Sequence, residues 1–95
     1  MTKSELIERL TDRIDGVTYK VAEVVVNTIF QSMKDALVRG DRIEIRGFGS
    51  LKVKDYPSYQ GRNPKSGESI LVPPKKLPFF KVGKELRDRV DGDSG

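Results

Sequence analysis

Apolar residues near the start of the chain recur at helical spacing: Leu6, Ile7, Leu10 and Ile14 make one stripe. Thr2-Lys3-Ser4-Glu5 ahead of them has capping-box spacing, with Thr2 set to accept from the Glu5 amide and Glu5 to reach back. Gly16 marks the stop. Thr18 is placed to cap a second helix running to about Arg39, where Gly40 ends it. On that helix Ala22, Val25, Val26, Ile29, Phe30, Met33, Ala36 and Leu37 cover roughly half the circumference, wider than one small core needs. Glu23, Asn27, Gln31 and Lys34 fill the polar side. Part of the apolar face is therefore expected to meet a second subunit.

From Asp41 the period changes to two. Ile43 and Ile45 face inward, and Arg42, Glu44 and Arg46 share the outer face. Gly47-Phe48-Gly49-Ser50 turns the chain, with Phe48 expected to be buried between the glycines. This is no phosphate loop, because the Walker and dinucleotide spacings are missing. Leu51 and Val53 alternate with Lys52 and Lys54 in the next strand. Tyr56 to Gly67 has too little apolar alternation to lie on a core and is expected to project as a flexible arm. Ile70 and Val72 begin the return, which Pro73 and Pro74 confine to an edge or an unpaired stretch. Pro78-Phe79-Phe80 brings the chain back to the body, and Gly83 is placed to cap a short last helix through Val90. The expected fold is α+β: two helices, a three-stranded sheet extended into a long hairpin arm (about 54–75), a third helix, and a frayed tail at about 91–95. Residues 1–95 read as one domain, without an internal repeat.

Composition narrows the function. The 95 residues, 36% hydrophobic, supply a modest core; a chain this short buries only roughly 60–65% of its unfolded surface and is marginal alone. An obligate dimer is expected. With no cysteine there are no disulfides or thiolate metal sites, and with no histidine the usual general base and pH switch are missing. No cofactor is expected. No apolar run is long enough to cross a membrane, and the amphipathic, acid-containing opening is unlike a signal peptide; a cytoplasmic protein is expected.

The 18 Lys+Arg against 14 Asp+Glu give a net charge of +4. Its distribution matters more than its size. Lys52, Lys54, Arg62, Lys65, Lys75 and Lys76 face only Asp55 and Glu68 between residues 52 and 76, whereas residues 1–15 carry a slight acidic excess. A hairpin charged in this way suits a phosphate backbone, although a merely solubilising edge has the same composition. Its tip, Gly61-Arg62-Asn63-Pro64-Lys65-Ser66-Gly67, holds two cations, an amide and a rigid apolar ring where a turn needs only glycine and polar residues. Arg62 and Asn63 can reach groove edges, Lys65 phosphate, and Pro64 can act as a wedge between base pairs.

Three segments together, Asp41-Arg42-Ile43-Glu44-Ile45-Arg46-Gly47-Phe48-Gly49-Ser50, Gly61-Arg62-Asn63-Pro64-Lys65-Ser66-Gly67-Glu68 and Gly83-Lys84-Glu85-Leu86, closely resemble the signatures of the HU and integration host factor DNA-bending proteins. The match runs over nearly the whole chain. The opening Met1 to Leu10 and the closing Gly83 to Arg89 are most similar to the beta-subunit branch of that family. The resemblance implies an intertwined dimer with a helical body and two β-arms in the minor groove of double-stranded DNA, a mechanism for which these proteins are themselves reference cases. It implies that Pro64 is the wedge, with Arg62 and Asn63 along the groove and Lys65 near phosphate. It also implies nucleoid organisation, recombination and transcription regulation as the setting, in the bacterial nucleoid. The partner subunit is either a second copy or a related alpha-like chain.

Bending a site of this kind costs about 1–6 kcal/mol or more, and contacts along the flanks of the body must offset it. Candidates are the helix starts at Thr2-Lys3 and Gly83-Lys84, whose free amides suit phosphate oxygens, and the arm lysines Lys52, Lys54, Lys75 and Lys76. Each lysine has the alternative of simple solvation. Arg46 and Glu44 form either an exposed charge pair of little consequence or a minor-groove arginine fixed by its carboxylate. Phe48, Phe79 and Phe80 belong with the packed body, and Tyr56 and Tyr59 suit either cross-hairpin packing or sugar contact. Departures from the family pattern are Leu51 where many relatives have phenylalanine, Val82 where beta-like relatives often have proline, and the Asp55-Tyr56-Pro57 and Pro73-Pro74 pair at the arm base, which stiffen or re-aim it.

Three alternatives remain. An HU-like protein would compact DNA without sequence preference, and affinity for one preferred site against bulk DNA separates the two. An enzyme would have to work with Asp12/Asp15 or Asp91/Asp93 and a metal, without His or Cys. A scaffold taking a peptide by strand addition is opposed by Pro57, Pro73 and Pro74.

Overall fold

The structure is a computed structural model, which describes residues 1–93. Among the described residues, three helices, α1 (Lys3–Arg13), α2 (Tyr19–Val38) and α3 (Lys84–Asp93), enclose five strands in chain order: β1 (Ile43–Ile45), β2 (Gly49–Tyr56), β3 (Tyr59–Arg62), β4 (Ser69–Val72) and β5 (Lys75–Val82). The fold is α+β, as the periodicities predict.

Capping chemistry sets the helix bounds. Thr2 Oγ1 accepts from the Glu5 amide at 3.2 Å, and Thr18 Oγ1 accepts from the Val21 amide at 3.2 Å. α1 ends earlier than the apolar stripe suggests, because Ile14 is already extended and Gly16, at φ 81°, completes the turn. α2 closes in a Schellman motif: the Gly40 amide (φ 83°) donates to the Leu37 carbonyl and the Asp41 amide to the Ala36 carbonyl.

β1, β2 and β5 make one antiparallel sheet with β2 in the centre. β1 joins β2 through a tight turn, in which the Phe48 amide donates to the Ile45 carbonyl at 2.9 Å with Gly47 at φ 83° in the third position. The register of β2 on β5 sorts the side chains. Leu51 stands opposite Phe80 and Val53 opposite Pro78 on the face shared with Ile43, while Ser50 is opposite Lys81, Lys52 opposite Phe79, Lys54 opposite Leu77 and Tyr56 opposite Lys75 on the other.

The projecting arm contains strands of its own. β3 and β4 form a two-stranded ladder from Tyr59↔Val72 to Arg62↔Ser69. A Cβ at Gly61 would touch Val72, Tyr59 and Ile70, so one face of the arm carries its own small apolar patch. That patch escapes a search for alternation within one strand, because its members come from two.

Little of the chain is buried within itself. Ile7, Ala22 and Val26 are 2%, 0% and 3% exposed, with Leu6, Leu10 and Val17 packed against them. Phe48 is not buried between the glycines as expected: it is 47% exposed and leans on Phe80, ring centroids 5.4 Å apart. α3 runs three residues past Val90 to Asp93, and residues 94–95 of the expected tail lie outside the described residues. The radius of gyration is 19.3 Å, against about 12 Å for a compact chain of this length; the difference is the projecting arm.

Candidate nucleic-acid interface

The tip of the arm is built around Asn63. Its amide donates to the Glu68 carbonyl at 2.8 Å, its carbonyl accepts from the Gly67 amide at 2.7 Å, and its side-chain Oδ1 accepts from the Lys65 amide at 2.9 Å. Gly67, at φ 73°, supplies the left-handed residue that turns the chain back. Asn63 is half-buried, whereas Arg62, Pro64 and Lys65 are exposed. Pro64 therefore stands at the apex with its ring uncovered, flanked by two cations.

Below the tip, the register divides the arm lysines. Lys52, Lys54 and Lys75 share one face of the β2–β5 pair with Lys81; Lys76 falls on the opposite face, across from Asp55, and pairs with it at 3.9 Å. Lys54 is half-buried, with Nζ 3.6 Å from the centroid of the Phe79 ring. It is the most constrained of the four.

At the foot of the arm a groove gathers Arg42, Glu44, Arg46, Ser50, Lys81 and Lys84, with Gly47, Gly49 and Gly83 in its walls. The glycines allow close approach. A Cβ at Gly49 would lie 2.5 Å from the Lys81 carbonyl oxygen, and one at Gly83 3.2 Å from the Phe48 carbonyl, to which the Gly83 amide donates at 2.9 Å. Gly83 also accepts from the Arg87 amide at 3.0 Å, which starts α3 at the groove edge. Of the residues expected from sequence, Glu44, Arg46, Gly83 and Lys84 come together here. Arg42 and Lys81 were missed; the alternation of β5 marks Lys81 as outward, but only the register sets it beside β1's charges.

Glu44 does not hold Arg46. It pairs with Arg42, Nη2 to Oε1 at 2.7 Å, because those residues lie two apart on one face of the chain entering β1, while Arg46 already belongs to the turn. Arg46 makes no ion pair among the described residues. Thr2 and Lys3 sit elsewhere, in a groove between α1 and α2 lined also by Asn27, Phe30 and Lys34, where Lys3 Nζ donates to Asn27 Oδ1 at 3.0 Å. Among the described residues no group of three or more His, Cys, Asp or Glu is arranged to hold a metal ion, and no helix is long and apolar enough to cross a membrane.

A family model described as bacterial DNA-binding protein matches residues 1–91. The chain belongs to that family, the one that contains HU and integration host factor. It is 55% identical over 95 residues to integration host factor subunit beta of Paraburkholderia phymatum, covering all of this chain and 89% of that protein. It is 56% identical over 91 residues to the same subunit of Ralstonia nicotianae, covering 96% of this chain and 66% of that longer protein. Among solved structures, HU from Anabaena in a cocrystal with DNA superimposes with a TM-score of 0.83 at 32% identity, over 95% of this chain and 97% of that one. HU from Thermotoga maritima gives a TM-score of 0.65 at 29% identity, over 95% and 98%. As a family member, the chain is thus similar in sequence to beta subunits and in its arm-bearing fold to HU.

Proposed function

We propose that this family member is an architectural protein that bends double-stranded DNA, working as a dimer whose two arms enter the minor groove with Pro64 as the wedge. The observation that carries the reading is the tip: an exposed proline ring at the apex of a paired hairpin, between Arg62 and Lys65, above a face bearing Lys52, Lys54 and Lys75. An apolar ring inserted at a base step kinks the duplex, and the cations along the arm and foot groove then meet the phosphates that the kink draws in. Arg46, Lys81 and Lys84 supply that charge at the body, and the amides at the start of α3 add donors beside it.

The dimer rests on packing. Val25, Ile29 and Phe30 on α2 are each more than 40% exposed in the single chain, and the three side chains buried among the described residues do not hold a fold of this size. A second copy or a related subunit covers that face. The likeness to beta subunits favours a bender with a preferred site, in the setting of nucleoid organisation, recombination and transcription regulation. The Glu44–Arg42 pair favours the HU-like alternative in one respect, since it leaves Arg46 without the carboxylate that would orient it for site reading.

The test is titration of the chain onto an end-labelled duplex of about 35 bp at several salt concentrations, reading the bend by energy transfer. Tight binding with a large bend, abolished in Pro64→Ala, supports the reading. Tight binding with a bend that Pro64→Ala leaves intact removes the wedge. Weak binding without a bend, restored by a candidate alpha-like subunit, assigns a heterodimer.

A further inference from the structure

We propose that Asn63 is a positioning residue for Pro64, fixing the wedge through its side-chain oxygen rather than reading the groove. The proposal rests on the wedge assigned to Pro64 above. Three hydrogen bonds converge on Asn63, and they do different work. The amide bond to Glu68 extends the β3–β4 ladder one step beyond Arg62↔Ser69, and the carbonyl bond from Gly67 closes the loop. The Oδ1 bond from the Lys65 amide spans Pro64 itself. This is an Asx turn, in which a side-chain oxygen stands in for a backbone carbonyl.

The turn and the proline reinforce each other. Pro64 has a locked φ and no N–H, so it contributes nothing to the bonding of the loop. The proline ring in turn keeps Asn63 out of the helical region, in the extended range. Together they leave the segment Asn63-Pro64-Lys65 few conformations in the free protein, and the entropy cost of entering DNA is correspondingly small. The consequence for recognition is specific. The minor groove offers mostly acceptors, so an asparagine that reads it uses its amide nitrogen, whereas an asparagine that positions the wedge uses its oxygen. In this structure the oxygen is committed to Lys65, and the residue is half-buried beneath an exposed Pro64.

The two roles separate in a series of tip variants of the full chain: Asn63→Ala, Asn63→Ser and, as control, Pro64→Ala. Hydrogen exchange at the Lys65 amide is measured in the free protein, and energy transfer and affinity on the ~35-bp duplex. Serine keeps an oxygen acceptor and lacks the amide nitrogen. Asn63→Ala is expected to speed Lys65 exchange about five- to tenfold, as removal of one ordinary hydrogen bond should, and to reduce the bend towards that of Pro64→Ala. Asn63→Ser is expected to recover both. If serine restores slow exchange yet bends no better than alanine, the amide nitrogen is needed in the groove and the proposal is overturned. It is also overturned if Asn63→Ala bends DNA fully while Pro64→Ala does not, an outcome that leaves the wedge standing. A full bend in Pro64→Ala removes the wedge and this proposal with it. An unchanged far-UV spectrum and thermal midpoint in each variant keeps a collapsed body from imitating these results.

Discussion

Pro57 stands across the arm from Pro74. The β2–β5 ladder ends at Tyr56↔Lys75 and the β3–β4 ladder begins at Tyr59↔Val72, in the same register and without an inserted residue. The two positions between them therefore set Pro57 against Pro74 and Ser58 against Pro73. The Gly83 amide donates to the Phe48 carbonyl and the Asn63 amide to the Glu68 carbonyl, so bonded pairs fall at even positions along β2 and at odd positions along β3, and the alternation changes phase across the two intervening positions. Of the four residues there only Ser58 has an N–H to donate, and the arm is one hairpin interrupted at a fixed point. Replacing Pro57, Pro73 and Pro74 together with valine is expected to close the gap. Amide exchange around Ser58 and Tyr59 should slow about fivefold for each bond restored, at about 1 kcal/mol per bond. Protection already continuous in the native arm would contradict the interruption.

The same register separates lysines that sequence position lumps together. Lys52 and Lys75 lie on the face that carries Lys81, and Lys76 lies on the other with Asp55. Removing a lysine that neutralises one phosphate lowers the slope of log affinity against log salt by about 0.9 for duplex DNA. Lys52→Ala and Lys75→Ala are expected to lower that slope by about one per arm, and Lys81→Ala to do the same from the foot groove. Lys76→Ala should leave it unchanged. A decrease in slope for Lys76→Ala equal to that for Lys75→Ala would show that the sheet face does not select which lysines meet phosphate.

What could be read from the residues alone was whatever is encoded locally. Thr2, Thr18 and Gly40 announce helix ends because a cap needs only its next few neighbours, and the structure places all three at those ends. The change of period at Asp41 gave β1 and β2 in the same way. The hairpin arm was legible from its tip and from the return at Ile70 and Val72, but its apolar face was not, since Tyr59, Ile70 and Val72 come together only after the hairpin closes. For the candidate site, the tip is one contiguous string and could be picked out, while the foot groove is assembled from β1, β2, β5 and the start of α3. Arg42 and Lys81 entered it only through strand pairing, and Glu44 was assigned to the wrong arginine because the turn that removes Arg46 lies between strand and glycine.

Two glycines separate steric from conformational need. Gly49 has an ordinary backbone, but a Cβ there would lie 2.5 Å from the Lys81 carbonyl oxygen and 2.6 Å from the Phe80 ring. Gly16 is left-handed, at φ 81°, and a Cβ there would meet nothing within 4 Å. Gly49→Ala is expected to cost about 1–3 kcal/mol by overpacking the β2–β5 pair, and Gly16→Ala about 1–2 kcal/mol from the left-handed strain alone. The distinguishing measurement is a second substitution. Phe80→Leu should recover part of the fall in thermal midpoint caused by Gly49→Ala and none of that caused by Gly16→Ala. Equal effects on both backgrounds would mean that the Phe80 ring is not what excludes a side chain at Gly49.

The dimer can be tested at Ile29, which is 52% exposed in the single chain. A surface substitution on a self-sufficient monomer normally changes stability by no more than about 0.5 kcal/mol. Burying an isoleucine against a partner is worth about 1.5–3 kcal/mol, and a charge placed there adds its own desolvation. Ile29→Lys is therefore expected to leave the chain unfolded at micromolar concentration, although about half of the residue is exposed in its own protomer. In the native chain, the thermal midpoint should fall on hundredfold dilution, because folding and association are then a single equilibrium. Sedimentation and thermal scans across that range give both readings. A midpoint indifferent to dilution, with Ile29→Lys as stable as the native chain, would make α2's apolar face a surface that needs no subunit. The arms would then have to act singly, and one arm reaches only one side of a duplex. On the proposed reading, the bend thus depends on the same association that would complete the core.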